Sequence, residues 1–371
     1  MQIDTFLLER NQTLFENDVQ FNLTESGVHA CTLQEILSQE EIQSLTQVSL
    51  GYGYTDGRPA LRAAIAAWYP GATGRNVAVT HGASEANLLS VLTVLQPQDE
   101  VLIVEPNFMQ IAGLARALGA AVRTYTLTDE NGWQIEPKKL ESLLTNRTRM
   151  VALVNPNNPT GQVLETKIME EVVELCRARG VYLLADEIYR GAEIDRPETP
   201  SFWGKYDRVI VTSSLSKAFA LSGLRLGWIV ASEELIGEVM RRQDYTSIGT
   251  GIMAQLIAER VLQPDRRDKV LARTRRILSD NVRIIERWIE GGKGAFRMRR
   301  PHAGAMGFVG YKAPVSSEEF SRRLRERHSV FVVAGSWFGV ENHVRIGIGG
   351  NPDELEQALG RTATFLAEGC H

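Results

Sequence analysis

The chain has 371 residues, of which 43% are hydrophobic and 23% are charged, and its formal net charge is −4 at pH 7. This composition is typical of a globular protein and excludes a disordered or fibrous chain. The length favours two domains of unequal size over a single compact domain. The small net charge indicates neither a nucleic-acid partner nor a membrane-surface partner.

The cysteines and histidines indicate neither a disulfide framework nor a metal site. Cys31, Cys176 and Cys370 share no motif, which suits a reducing compartment. The six histidines are scattered, without the short spacings that complete a metal coordination shell. The N-terminus lacks an apolar signal-peptide core, and no apolar segment approaches the roughly 20 residues of a membrane-spanning helix. We therefore expect a cytoplasmic protein that uses no metal.

The first 50 residues carry weak helical patterns and no strong strand pattern. We expect this segment, 1–50, to pack on a smaller domain and near the functional site. It is neither basic nor similar to a helix-turn-helix, so it does not indicate a DNA-binding segment.

Between about residues 77 and 230, short apolar runs alternate with longer helical patterns. The predicted strands are 77–80, 101–104, 122–127, 150–154, 181–185, 209–212 and 226–230. The predicted helices are 84–95, 109–118, 137–144 and 167–179. Such alternation favours an α/β fold with a mostly parallel, seven-stranded sheet covered by helices on both faces. We assign 51–245 to this larger domain, in which ligands bind beyond the carboxyl ends of the strands.

After residue 235 the pattern changes to long helices followed by short strands. The predicted helices are 234–243, 252–262, 266–288, 317–327 and 352–366. The predicted strands are 307–311, 330–333 and 344–348. We expect a smaller α+β domain over 246–371. The arginines from 266 to 300 recur at helical spacing with apolar residues, which indicates the solvated face of a long helix and not a nucleic-acid patch.

One lysine lies among small hydroxyl side chains, with an arginine eight positions further on. The sequence at 213–217 is Ser-Ser-Leu-Ser-Lys, and Arg225 follows. A neighbouring cation and partial desolvation lower the pKa of a lysine amine, which frees it to form a Schiff base with a carbonyl compound. Lys217 is therefore the candidate for covalent catalysis, although an isolated lysine at a strand end is more often an ordinary surface residue.

The turn after the strand at 77–80 predicts an anion site. Ala83 and Ser84 open a helix there, where free amide hydrogens and the helix dipole favour an anion. Taken alone, Ser84 is more simply a helix cap. A phosphate held by Ser84, Ser214 and Arg225 accounts for all of these side chains, because arginine offers phosphate a bidentate fork.

Two further strand ends carry side chains that suit a ring-shaped ligand. The motif Asn-Pro-Asn-Asn-Pro-Thr-Gly at 155–161 is a rigid turn that can aim an asparagine at a ligand or serve as a turn only. Asp186 and Tyr189 follow the strand at 181–185. A carboxylate there can keep a ring nitrogen protonated, while the phenol bonds a neighbouring ring oxygen. A helix cap or a metal ligand is the alternative for Asp186.

The order of these motifs resembles the class I/II aminotransferases, which are fold-type I pyridoxal 5′-phosphate enzymes. The shared motifs are Gly-Ala-Ser-Glu-Ala at 82–86, Asn-Pro-Asn-Asn-Pro-Thr-Gly at 155–161, Asp-Glu-Ile-Tyr at 186–189, Ser-Leu-Ser-Lys at 214–217 with Arg225, and Val-Arg-Ile-Gly at 344–347. The resemblance covers about 52–345, most of the chain. It implies the fold-type I fold, a pyridoxal 5′-phosphate cofactor and amino-group transfer from an L-amino acid to a 2-oxo acid.

The resemblance also implies contacts to the cofactor ring. Lys217 would hold the cofactor aldehyde as a Schiff base and later move the proton at Cα. Asp186 would pair with the pyridinium nitrogen, and Tyr189 and Asn158 would bond the phenolic oxygen. Phe108 would stack on the ring, although a core phenylalanine is the alternative.

Contacts to the cofactor phosphate and to the substrate are implied in the same way. The phosphate contacts would come from Ala83, Ser84, Ser214 and Arg225. The substrate α-carboxylate would bind Arg345, with Asn158 beside it, because a planar guanidinium suits a carboxylate better than an ammonium does.

A tyrosine near residue 52 reaches the phosphate of the other subunit in this family. Tyr52 therefore implies a homodimer with shared active sites, and Tyr54 is the less favoured alternative. The neighbouring glycines Gly51, Gly53 and Gly57 do not form a dinucleotide-binding motif, and no strand precedes them.

The segment at 22–29 departs from the family. Many family members carry an apolar residue followed by a glycine at this point, and these residues lie near the substrate. Gly27 fits that pattern, whereas Glu25 is polar. The segment is similar to that of capreomycidine-synthase-like enzymes, which act on guanidino amino acids. We consider that Gly27 and Glu25 contact the substrate, with Glu25 facing a polar or cationic side chain. Capping of the following helix at 32–37 is the alternative for Glu25.

Two other functions are alternatives to amino-group transfer. A lyase, cyclase or oxidase would keep the cofactor and change the outcome at the same carbanion. A non-catalytic module of the same fold is disfavoured, because Lys217, Asp186 and Arg345 are all retained. We expect small-molecule amino acid and 2-oxo acid partners, and neither nucleic acid nor membrane.

Overall fold

The computed structural model describes residues 3–370 and contains one large β-sheet and two smaller ones. The strands are β1 (Phe21–Asn22), β2 (Val77–Thr80), β3 (Glu100–Glu105), β4 (Ala121–Thr126), β5 (Thr148–Val154), β6 (Tyr182–Asp186), β7 (Val209–Ser214), β8 (Gly227–Val230), β9 (Phe296–Met298), β10 (Met306–Tyr311), β11 (Val330–Phe331), β12 (Val333–Ala334) and β13 (His343–Gly347).

The helices from α5 onward begin and end close to the predicted positions, whereas no positions were predicted for α1, α3 and α4. They are α1 (Leu7–Phe15), α2 (Leu33–Ile36), α3 (Gln39–Leu45), α4 (Pro59–Ala66), α5 (Gly82–Val94), α6 (Gln110–Ala117), α7 (Pro137–Ser142), α8 (Thr166–Arg179), α9 (Glu233–Gln243), α10 (Ile252–Val261), α11 (Pro264–Gly291), α12 (Ser317–His328) and α13 (Pro352–Ala367). Helix α11 begins two residues earlier than predicted because Pro264 occupies its first turn, where a proline needs no hydrogen-bond partner.

The large sheet has seven strands in the order β2-β8-β7-β6-β5-β3-β4. Strand β8 runs antiparallel to β2 and β7, and the other pairs are parallel. The predicted mostly parallel, seven-stranded sheet of an α/β fold is thus confirmed. The carboxyl ends of β3, β5, β6 and β7 lie at one edge of this sheet, which places the residues that follow them close together.

Both faces of the large sheet are buried. On one face, residues such as Ile103 and Ala152 pack with α5, α6 and α9. On the other, their sequence neighbours Leu102 and Val151 join the main hydrophobic core. Successive residues of a strand point to opposite faces of the sheet. A sheet with helices packed on both faces therefore needs near-continuous apolar strands, as the sequence pattern predicts.

The C-terminal region contains an antiparallel sheet in the order β12-β13-β10-β9. The prediction of one strand at 330–333 is wrong, because the chain changes sheets at Val332. Residues before it, in β11, pair with β1, and residues after it, in β12, pair with β13. Strand β9 was not predicted, since three residues in an arginine-rich stretch carry too short a pattern. The domain boundaries at residues 50 and 245 stay predictions.

Within residues 3–370, no helix is long and apolar enough to cross a membrane. The same part of the chain has no group of three or more histidine, cysteine, aspartate or glutamate side chains that could hold a metal ion. A cavity at the carboxyl edge of the large sheet is lined instead by lysine, arginine, carboxylate, amide and hydroxyl groups.

Candidate active site

A cavity of about 310 Å³ lies beyond the carboxyl ends of the parallel strands. The predicted residues on its wall are Glu25, Ala83, Ser84, Phe108, Asn158, Asp186, Tyr189, Lys217, Arg225 and Arg345. Chain segments far apart in sequence therefore converge on one space. Ser214, Gly27 and Tyr52 are not on this wall.

Lys217 follows β7 and contacts an acidic side chain. Its Nζ donates to Glu25 Oε2 at 3.0 Å. Burial lowers the pKa of Lys217, but the carboxylate of Glu25 and the phenol of Tyr189 outweigh it, and the net pKa lies above the usual value. The expectation that a neighbouring cation lowers this pKa is therefore wrong, because the side chain that contacts the amine is a carboxylate.

Asp186 ends β6 and lies at the floor of the cavity with 4% of its surface exposed. Its Oδ2 accepts from Asn87 Nδ2 at 3.2 Å, and its Oδ1 accepts from the Ile188 amide at 3.0 Å. Burial raises the pKa of Asp186 to about 6, although these hydrogen bonds oppose the shift. A buried carboxylate without a cation is costly, so this position suits a ligand that brings a protonated nitrogen.

Asn87 was not among the predicted residues. It lies on α5, three residues after Ser84, and is 1% exposed. Its Oδ1 accepts from Thr212 Oγ1 at 2.8 Å, which fixes the amide so that Nδ2 faces Asp186. The spacing of three residues on one helix was the available signal, since it places both side chains on the same face.

Replacing Asp186 by asparagine should stabilise the cofactor-free protein. The folded-state pKa lies above that of an unfolded aspartate, so the wild-type protein loses stability as the pH rises from about 4 to about 6. Removing the buried charge should increase the free energy of unfolding at pH 8 by about 1–3 kcal/mol, measured by urea denaturation.

The control for Asp186→Asn is Asp280→Asn, which removes an exposed carboxylate of α11 and should leave that free energy unchanged. Glu187, whose pKa burial raises to about 7, should keep its own part of the pH dependence in the Asp186 variant. Equal or lower stability of Asp186→Asn at pH 8 would contradict a costly buried charge.

The start of α5 and the loop before β8 form the predicted anion end of the cavity. Gly82 and Arg225 both adopt positive φ angles, +71° and +48°, so the backbone turns sharply at both places. A Cβ on Gly82 would lie 3.0 Å from Arg225 Nη2, and one on Gly227 would lie 2.6 Å from the Ala83 nitrogen. Glycine is thus needed at both positions to bring the guanidinium and the helix N-terminus together.

Ser214 is not on the cavity wall, and its contact with the phosphate stays a prediction. It is 1% exposed, and its Oγ accepts from the Ser216 amide at 3.1 Å, so its hydroxyl stabilises the turn before Lys217. Ser216 and Ser222 are on the cavity wall instead. Which hydroxyl faces the cavity depends on how this turn folds, and the sequence spacing does not determine it.

Arg345, on β13, is held in place by two hydrogen bonds of its guanidinium group. Its Nη1 donates to Asn158 Oδ1 at 2.8 Å, and its Nη2 donates to the Thr24 carbonyl at 2.5 Å. The side chain is 2% exposed, and its Nε has no partner within residues 3–370. A buried guanidinium with an unsatisfied donor on a cavity wall suits an anionic ligand.

Tyr189 and Phe108 lie on the cavity wall near these charged groups. The Tyr189 hydroxyl is 2.9 Å from Ser26 Oγ, and burial raises the pKa of Tyr189, so the phenol stays protonated. The Phe108 ring contacts Phe6 of the N-terminal segment, with 4.7 Å between ring centroids. Phe108 is therefore partly exposed to the cavity and not a core residue.

The family model for aminotransferase class I and II matches residues 18–361. The chain belongs to this family. Capreomycidine synthase of Streptomyces vinaceus is 31% identical, and the alignment covers 93% of this chain and 89% of that protein. Arginine–pyruvate transaminase of Pseudomonas aeruginosa is 30% identical, with 89% of this chain and 86% of that protein covered.

The solved structures include a PLP-dependent aminotransferase from Streptococcus suis, which is 30% identical to this chain. It superposes with a TM-score of 0.94 over 100% of this chain and 99% of its own. The fold-type I architecture and the assignment to the pyridoxal-phosphate-dependent aminotransferases are thereby confirmed.

The cavity residues of this aminotransferase fit pyridoxal 5′-phosphate. An amine (Lys217), a buried carboxylate without a cation (Asp186) and a guanidinium beside a helix N-terminus (Arg225) match an aldehyde, a ring nitrogen and a phosphate. Each of these three cofactor groups thus has a complementary side chain, and Arg345 is a further cation on the same wall.

Gly27 and Tyr52 lie outside the cavity wall of this aminotransferase chain. The backbone of Gly27 lies against Lys217, and a Cβ there would be 3.3 Å from Lys217 Cδ. Tyr52 is 93% exposed and lines a separate surface pocket with Tyr54, which is 54% exposed. Within one chain, neither tyrosine reaches the phosphate end.

The alternative role of Glu25 as a helix cap is wrong. Thr32 caps α2, and Glu35 completes the capping box by accepting from the Thr32 amide at 2.6 Å. Glu25 is on the cavity wall beside Lys217. Residues of helix α1 also line this cavity, although no sequence motif predicted the helix.

Proposed function

We propose that this enzyme transfers the amino group of an L-amino acid to a 2-oxo acid, with Lys217 as the covalent and proton-moving residue. The observation that carries the proposal is the convergence of Lys217, buried Asp186 and Arg345 on one cavity. When bound, pyridoxal 5′-phosphate supplies an aldehyde that condenses with amines and a ring that accepts the electrons of the Cα–H bond.

Lys217 would take the proton from the substrate Cα and return it to the former aldehyde carbon of the cofactor, on the other side of the amino nitrogen. A general base must be neutral, so the Lys217 ammonium must first lose a proton. At present that ammonium donates to Glu25 Oε2 at 3.0 Å, which stabilises its charged form. The amine is well placed for this step because the segment after β7 holds it at the edge of the sheet, beside the other cavity groups.

Asp186, Tyr189 and Asn158 would hold the ring. Asp186 would keep the ring nitrogen protonated, and Asn87 fixes its carboxylate for that contact. The protonated phenol of Tyr189 would donate to the ring oxygen, with Asn158 close by. Phe108 would cover the ring.

Ala83, Ser84 and Arg225 would hold the phosphate through amide hydrogens, a hydroxyl and a guanidinium. Arg345 would bind the α-carboxylate of the substrate through its guanidinium group, while the hydrogen bonds to Asn158 and Thr24 keep the plane of that group fixed. Gly27 would leave room beside Lys217 for the substrate.

We propose in addition that the enzyme is a homodimer in which Tyr52 reaches the partner subunit's phosphate. Leu50 and Tyr52 are 78% and 93% exposed and line one surface pocket with Ile252 and Met253. A contiguous exposed apolar patch is typical of an interface. Light scattering should give the mass of two chains, and loss of activity should follow from Tyr52→Phe in a chain that still dimerises. A monomer with full activity would contradict the shared site.

A lyase or cyclase acting through the same cavity is the second candidate. It is favoured by the 31% identity to a capreomycidine synthase, because a cofactor site of the same type serves several reactions. Transamination and these reactions differ in where the nitrogen goes.

The test is a half-reaction without a 2-oxo acid, using a broad panel of L-amino acids. Transamination predicts that the visible absorbance of the holoenzyme disappears and that pyridoxamine 5′-phosphate and a 2-oxo acid appear in equal amounts by mass spectrometry. Ammonia or a cyclised product with the cofactor unchanged would support the second candidate. No donor producing pyridoxamine 5′-phosphate would contradict the proposal.

A further inference from the structure

One face of helix α1 lines the active-site cavity. Glu9, Gln12, Thr13 and Glu16 are all on the wall, with spacings of three, four and seven residues. Residues at these spacings share one face of a helix, and Glu16 continues the helical backbone as the C-cap. We call these residues the α1 face.

The α1 face is connected to the residue proposed to bind the α-carboxylate. The carbonyl oxygen of Thr24 accepts from Arg345 Nη2 at 2.5 Å and from Gln12 Nε2 at 3.3 Å. Gln12 Nε2 also donates to Thr24 Oγ1 at 2.9 Å, and Gln12 is only 8% exposed. The α1 face therefore has a fixed position relative to the buried, unsatisfied Nε of Arg345.

The charges on the cavity wall do not balance once the proposed roles are assigned. The cationic side chains on the wall are Lys217, Arg225 and Arg345, and the acidic ones are Glu9, Glu16, Glu25 and Asp186. Each cation has a role with the cofactor or the α-carboxylate, and Asp186 has the ring nitrogen. Glu9, Glu16 and Glu25 remain without a cation.

The carboxylates of the α1 face have no ion-pair partner within residues 3–370. Burial raises the pKa of Glu9, and Glu25 and Glu16 add to that effect, whereas Lys217 and Arg345 oppose it. Glu25 loses its ammonium partner when the Lys217 amine reacts, which makes the excess of negative charge larger. A carboxylate that lines a cavity and has no ion-pair partner is stabilised by a cationic ligand in that cavity.

We propose that the α1 face binds the cationic side chain of the amino donor, with Glu9 as the specificity-determining residue. The donor class is L-amino acids that end in a guanidinium or an ammonium group, with the α-carboxylate on Arg345 and the side chain directed to Glu9. This inference rests on the proposed function. It disfavours acidic donors, which would bring a further anion to this wall.

The experiment compares a charged ligand with its neutral isostere in the holoenzyme. Calorimetry with 5-guanidinopentanoate and 5-ureidopentanoate, which lack the reacting amine, measures binding without turnover. The half-reaction is followed with L-arginine, L-lysine and L-citrulline. We expect the guanidinium or ammonium ligand to bind about tenfold to a hundredfold more tightly than the urea, because a charge-assisted contact is stronger than a neutral one.

Glu9→Gln should remove this preference and leave the affinity for the urea compounds unchanged. Glu16→Gln should reduce it less, since Glu9 and not Glu16 is among the carboxylates that raise the pKa of Arg345. Glu40→Gln, which neutralises an exposed acid of α3 away from the cavity, is the matched control and should retain the full preference. Arginine compared with lysine distinguishes a guanidinium from an ammonium site.

Equal affinity of the wild-type enzyme for the guanidino and ureido compounds would overturn the inference, and this comparison needs no variant. A preference that survives in Glu9→Gln would overturn the role of Glu9. These outcomes differ from failure of the proposed function, in which no donor aminates the cofactor although 5-guanidinopentanoate still binds.

Discussion

Lys217→Ala should abolish amino transfer, lowering the rate of the half-reaction by at least about a thousandfold, because the chain loses its nucleophile and its general base together. The visible absorbance that the wild-type protein acquires with pyridoxal 5′-phosphate should also change to that of the free aldehyde. Both are measured by stopped-flow and static absorbance spectroscopy.

The phosphate end should survive this substitution, since Arg225 and the start of α5 do not depend on the lysine. Equilibrium dialysis should therefore still detect non-covalent binding of the cofactor. Lys167→Ala, which removes an exposed lysine of α8, is the control and should behave as the wild type. A Lys217→Ala protein that turns over at more than a few per cent of the wild-type rate would assign the chemistry to another group.

Arg345→Gln should lower kcat/KM by about a hundredfold to a thousandfold, because it removes one partner of a buried charge pair with the substrate carboxylate. The effect should fall mainly on KM, since Arg345 is proposed to bind substrate and not to move a proton. Arg345→Lys should recover part of the loss, because an ammonium keeps the charge without the planar fork. Steady-state kinetics gives kcat and KM for the wild type, Arg345→Gln and Arg345→Lys.

Arg345 also bonds Asn158 and Thr24, so the variant can disturb the wall as well as the substrate contact. A primary amine that matches the donor but lacks the carboxylate separates the two effects. Its slow reaction should be equally fast in Arg345→Gln and in the wild type. An equal loss for the amine and for the amino acid would show that Arg345 acts only by holding the wall together.

The sheet and the groups at its carboxyl edge were predictable because they depend on local patterns. Asp186 and Lys217 follow near-continuous apolar strands, and such strands pair in parallel when helices separate them. Their meeting at one edge follows from that topology. Strand bounds shifted by only one or two residues, which does not change the edge at which the side chains lie.

The N-terminal contribution was not predictable in the same way. Helix α1 has no motif, and its position depends on contacts with residues far away in sequence, such as Thr24 and Arg345. The same holds for the contact between Glu25 and Lys217, which reverses the expected direction of the Lys217 pKa shift. Which carboxylate contacts a given lysine is determined by the tertiary structure, and the local sequence around either residue does not indicate it.

The destination of the donor nitrogen tests the central claim most directly. An L-amino acid labelled with ¹⁵N at the α-amine, chosen as the fastest donor in the half-reaction, is incubated with the holoenzyme and an unlabelled 2-oxo acid. The account predicts that the label appears in the amino acid formed from that 2-oxo acid, in amounts equal to the 2-oxo acid released from the donor. Label recovered as ammonia, or retained in a cyclised product of the donor, would contradict it.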